Sequence, residues 1–86
     1  MKPLNDSEVN EIINLAYDSC QKYILNYVNK KDFENIQITI NLNTTNDSFN
    51  IDIDLDSDMK LPENLANSAI DVALEAVDEY VENRNN

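Results

Sequence analysis

The sequence predicts an α+β domain of helix, β-hairpin, helix (αββα), with two helices packed on one face of an antiparallel hairpin. Three observations lead there. Apolar residues recur at helical spacing towards both ends of the chain, two runs of strict alternation lie between them, and 86 residues leave room for one domain. Residues 1–86 therefore read as a single α+β domain, with 1–5 and 83–86 expected as flexible ends.

The first helix begins after Asn5-Asp6-Ser7, three residues able to cap it, and Glu8 and Glu11 suit the positive end of its dipole. Val9, Ile12, Ile13, Ala16, Cys20, Tyr23, Ile24, Tyr27 and Val28 then fall on one helical face. Leu15, Tyr17 and Leu25 flank that face. Asn29-Lys30-Lys31 is the expected end, because lysines favour a helix C-terminus.

Two strands follow. Ile36, Ile38, Ile40 and Leu42 alternate with polar residues, and the alternation resumes at Phe49, Ile51, Ile53 and Leu55. Pairing Ile40 with Ile51 and Leu42 with Phe49 places every apolar side chain on one face, and a slip of one residue would expose a whole set. A two-residue turn at Thr45-Asn46 would strain the β-branched threonine, so a longer or bulged loop is expected. No glycine is available to relieve such a turn.

After the linker Asp56-Ser57-Asp58-Met59-Lys60, Pro62 and Glu63 fit the first turn of a second helix, expected to run to about Glu82. Its polar residues, Asn64, Asn67, Ser68, Asp71, Glu75, Asp78, Glu79 and Glu82, share one narrow side. Ala66, Ala69, Ala73 and Ala76 centre the remaining apolar arc of roughly 200°, flanked by larger residues. An arc that wide needs cover on two sides. Either the helix packs on both the hairpin and the first helix, or one flank meets a second subunit. Hairpins paired between two chains would make a homodimer with a four-stranded sheet and four helices on one face.

Composition excludes several functions. Seventeen acidic residues against six basic ones give a net charge of −11, which repels nucleic-acid phosphates and anionic lipid. Neither nucleic acid nor membrane is therefore an expected partner; a basic protein or a cation is. With one cysteine, Cys20, and no histidine, an internal disulfide is impossible, the usual zinc ligands are missing, and so is the commonest general base near neutral pH. Without glycine there is no phosphate loop or dinucleotide fingerprint. No stretch has signal-peptide or membrane-spanning character, so the expected compartment is the cytoplasm. Cys20, Tyr23, Tyr27 and Tyr80 read as core residues before they read as a ligand site. No cofactor is expected.

One feature stands out against that background. Asp52, Asp54 and Asp56 share the polar face of the second strand, ~6.5–7 Å apart by strand geometry, and Asp58 extends the row. The expected cross-strand neighbours, Thr39, Gln37 and Asn35, carry no positive charge. Three readings account for the row: a solvated face whose charges discourage aggregation, a docking surface for a lysine- or arginine-rich partner, and a divalent-cation site. Counted from Asp52, the residues Asp54, Asp56, Asp58 and Glu63 fall on ligand positions of a calcium-binding loop. Ser57, however, stands where that loop needs glycine, and Ile53 and Leu55 are claimed by the core. No metal ligand and no catalytic residue is assigned.

The order of elements, with the run Phe49-Asn50-Ile51-Asp52-Ile53-Asp54-Leu55-Asp56 and the later Ala73-Leu74-Glu75-Ala76-Val77-Asp78, resembles a family of small acidic archaeal proteins catalogued as a domain of unknown function. The resemblance covers nearly the whole chain. It implies no activity and carries over no site residue. It does imply genes that neighbour a prefoldin subunit and translation or RNA-modification components, hence a partner in protein synthesis or chaperone work. The expected function is a non-catalytic interaction module that docks a basic protein partner on Asp52, Asp54, Asp56 and Asp58. The alternative is a divalent-cation-binding protein using the same stripe, and a small hydrolase comes third.

Overall fold

The computed structural model describes residues 4–45, 48–58 and 61–85, and the architecture is the expected one. In chain order the elements are α1 (Asp6–Leu25), a one-turn α2 (Lys30–Phe33), β1 (Ile36–Thr44), β2 (Phe49–Ser57) and α3 (Glu63–Asn85). The strands form an antiparallel two-stranded sheet, and both long helices lie on its apolar face.

Of the three candidate caps, Asn5 starts α1. Its Oδ1 accepts the Glu8 N–H at 2.8 Å, while the Glu8 carboxylate accepts the Asn5 N–H at 3.2 Å. The two groups satisfy each other's unpaired donors, which is what a capping box does. Each long helix then buries one row at every fourth residue: Ile12, Ala16, Cys20 and Ile24 on α1, and Leu65, Ala69, Ala73 and Val77 on α3. Rows at that spacing form ridges along a helix, and small side chains in mid-row let two such helices approach closely. The helices run antiparallel, since Glu8 and Glu11 near the start of α1 meet Arg84 and Tyr80 near the end of α3. Along the hairpin, Ile36 and Ile53 complete the buried core, and Ile38, Ile40, Leu42, Phe49, Ile51 and Leu55 pack against it half-buried. Sheet and helices thus share one core, and α3 meets both α1 and β2.

Two helix ends and the strand register differ from expectation. The helix expected to reach residues 29–31 stops at Leu25, where the Asn26 N–H turns back to Tyr23 O at 3.2 Å and the Tyr27 N–H to Ile24 O at 2.9 Å. Asn29 then starts a helix instead of ending one, because its Oδ1 accepts the Asp32 N–H at 2.7 Å. Tyr27 is consequently off the helical face and 65% exposed. At the other end α3 runs to Asn85 rather than Glu82, with Arg84 tied to Glu8. The rest of the expected flexible ends, residues 1–3 and 86, lies outside the described residues.

The third difference is the register. Ile40 faces Ile53, Leu42 faces Ile51 and Thr44 faces Phe49, two residues from the expected pairing. A shift of two keeps every side chain on its face, so alternation alone does not resist it. The hairpin end decides it: β1 ends at Thr44 and β2 starts at Phe49, so four residues join the strands in place of two at Thr45-Asn46, and within them the Thr45 N–H donates to Ser48 O at 2.8 Å and the Ser48 N–H to Thr45 Oγ1 at 3.1 Å. Asn46 and Asp47 at the tip lie outside the described residues.

Candidate functional site

The outward face of the hairpin is polar from end to end. β2 alternates half-buried or buried residues with exposed ones, and the exposed set is Asn50, Asp52, Asp54 and Asp56. In the observed register Asp52 faces Asn41, Asp54 faces Thr39 and Asp56 faces Gln37. Asn35, once expected opposite Asp56, lies before β1. Every cross-strand neighbour is still neutral, so the row carries three negative charges without a positive one beside them on the sheet. Asp58 follows the strand on the exposed side, and the Asp56 Oδ1 accepts the Ser57 N–H at 3.0 Å. Where the hairpin opens, Asp56 and Asp58 border a shallow recess of ≈ 450 Å³ with Tyr17, Glu34 and Gln37.

Strand geometry limits what these carboxylates can do together. Neighbours on one face stand ~6.5–7 Å apart, whereas one calcium ion draws its oxygens to within ~2.3–2.6 Å of itself. Among the described residues no three histidine, cysteine, aspartate or glutamate side chains lie close enough to hold a metal ion. What the row offers is a repeat of charge at strand spacing.

Other singled-out residues lie elsewhere. Cys20 is fully buried, and burial pushes its thiol up from 9.0 to about 11. Tyr23 and Tyr27 stack with ring centroids 5.1 Å apart and planes tilted by 42°. The Tyr23 hydroxyl beside it pushes the Tyr27 phenol up, and the pair borders an apolar groove of ≈ 390 Å³ with Leu65 and Pro62. A polar cluster that the sequence gives little sign of joins the helix ends. There the Tyr80 hydroxyl donates to Glu11, which pushes its phenol up to about 12, and Arg84 pairs with Glu8. Four-residue spacing of Tyr80 and Arg84 on one helix was the available signal, but partners 69 and 76 residues away have no local trace. No helix among the described residues is long and apolar enough to cross a membrane.

Residues 1–80 match the profile of a family described as Protein of unknown function (DUF3194). The fold is similar to the solution structure of the hypothetical protein mth677 from Methanothermobacter thermautotrophicus, with a TM-score of 0.75 and 21% identity over 96% of this chain and 94% of that one. No curated protein matches the chain.

Proposed function

The chain belongs to the family described as Protein of unknown function (DUF3194), and for it we propose the role of a non-catalytic interaction module that docks a basic protein partner on the outer face of its hairpin. The observation that carries this reading is the row Asp52, Asp54, Asp56, exposed, in register and opposite neutral residues only. Such a row attracts lysine and arginine side chains at long range and fixes their spacing on contact. The partner works in the cytoplasm, in protein synthesis or chaperone activity, as the resemblance noted above implies.

Replacing Asp52, Asp54 and Asp56 together by asparagine keeps side-chain shape and removes the charge. The triple variant keeps the circular dichroism of the parent and loses capture of its partner from lysate of the native organism. Capture at the parent's level by the folded variant would overturn the reading.

A further inference from the structure

Each strand of a two-stranded sheet has one edge whose outward N–H and C=O groups find no strand. Among the described residues, no hydrogen bond to the backbone of Phe49–Leu55 comes from any segment but β1. Of the usual protections of an exposed edge β2 carries charge alone: its nine residues include no proline and no lysine, and its pairing with β1 runs without a bulge. Its inward residues Phe49, Ile51 and Leu55 are only half-buried, as are Ile38, Ile40 and Leu42 on β1, so the sheet's apolar face has room for further cover. Its outward residues are the aspartates.

We propose that the free edge of β2 takes up an extended segment of a partner protein in which lysine or arginine alternates with valine or isoleucine. The inference rests on the reading above and specifies how the basic partner binds. An added strand places alternate side chains on opposite faces, like the strand beside it. Its basic residues then stand beside Asp52, Asp54 and Asp56, and its apolar residues extend the cover over Phe49, Ile51 and Leu55. Main-chain hydrogen bonds supply affinity, and the two faces supply selection. Charge distinguishes the two edges: the outward residues of β1, Gln37, Thr39, Asn41 and Asn43, are neutral and select no charge. Charge also disfavours a second copy here, since pairing β2 with β2 brings two aspartate rows together.

The test uses the full chain labelled with ¹⁵N and a synthetic nine-residue peptide alternating lysine and valine. A control peptide has the same composition, with its lysines and valines in separate blocks. Amides of Phe49–Ser57 shift saturably and gain protection from hydrogen exchange, the alternating peptide binds about tenfold or more tighter than the block peptide, and the Asp52→Asn, Asp54→Asn, Asp56→Asn variant loses about as much. Equal binding of both peptides, lost in the variant, would overturn strand addition and leave the acidic docking reading standing. Protection gained along β1 instead of β2 also overturns it, as does failure of both peptides to bind. In that last case the docking reading is judged separately, by capture with the triple variant. Doubling of the mass in light scattering without peptide, with β2 amides already protected, would assign the edge to a second copy and sink the proposal.

Discussion

Arg84, in the last turn of α3, is bonded to the same Glu8 carboxylate that closes the capping box of α1. Its Nη2 donates to Glu8 Oε1 at 2.9 Å, and that oxygen also accepts the Asn5 N–H at 3.2 Å. The carboxylate sits at a positive helix end and the guanidinium at a negative one, so each also suits the dipole of its own helix. Replacing Asn5 by alanine removes a cap and costs ~1 kcal/mol, to be read from urea unfolding followed at the helical signal. Arg84→Ala leaves the cap and removes the tie between helices, so its melting temperature falls most at low ionic strength and recovers towards the parent near ~1 M salt. A deficit independent of salt would show that the residue acts by packing alone.

Cys20 gives a second, chemical prediction. Because burial raises its thiol from 9.0 to about 11, the folded chain keeps the proton over a range where the unfolded chain releases it. The associated stability is fully present below pH 9.0 and is lost as pH rises through about 11. Tyr80 acts in the same direction above pH 10, its phenol pushed up to about 12 mainly by the hydrogen bond to Glu11. The thiol is therefore inert to an aromatic disulfide reagent at ~pH 8 in the folded chain and reacts at once in denaturant. A Cys20→Ala chain also loses less stability than the parent across the alkaline range. Rapid labelling under native conditions would contradict the burial.

The early end of α1 separates two residues that periodicity had grouped together. Ile24 is fully buried, while Tyr27 is 65% exposed beyond the helix. Ile24→Ala is expected to cost ~2–5 kcal/mol through lost burial and the cavity left behind, and Tyr27→Ala clearly less, since only its contact with Tyr23 is lost. Comparable losses at both positions would restore the longer helix.

The aspartate row costs stability whatever it binds. Like charges at strand spacing repel through water, and no cation stands opposite them on the sheet. Differential scanning calorimetry should find the triple asparagine variant melting above the parent at low salt, with the gap closing as salt rises. A lower melting temperature would mean that the carboxylates make favourable contacts within the fold.

What could be read from residues alone follows the physics of each signal. Helical and alternating periods report which side of an element meets the core, and both carried through: Ile12, Ala16, Cys20 and Ile24 are buried, and Asp52, Asp54 and Asp56 are exposed. Periods say nothing about where an element ends, because ends depend on single hydrogen bonds such as Asn29 to Asp32. Nor do they count the steps between paired strands. The site survived the register error because the aspartates' actual neighbours, Asn41, Thr39 and Gln37, are as neutral as those expected.

That register can be tested covalently. A disulfide needs Cα atoms within ~4.4–6.8 Å, and directly opposed strand residues meet that limit while diagonal ones, at ~7–8 Å, do not. Asn41 is directly opposite Asp52, whereas the two-residue shift would have put Thr39 there. In a Cys20→Ala background, Asn41→Cys with Asp52→Cys should close under mild oxidation without loss of fold, and Thr39→Cys with Asp52→Cys should stay reduced. Both pairs lie on the solvent face, so neither substitution disturbs the core. The closed form should also resist urea better, since the link restrains the unfolded chain more than the folded one. Preferential closure of the Thr39 pair would move β2 by two residues and give each aspartate a different neighbour.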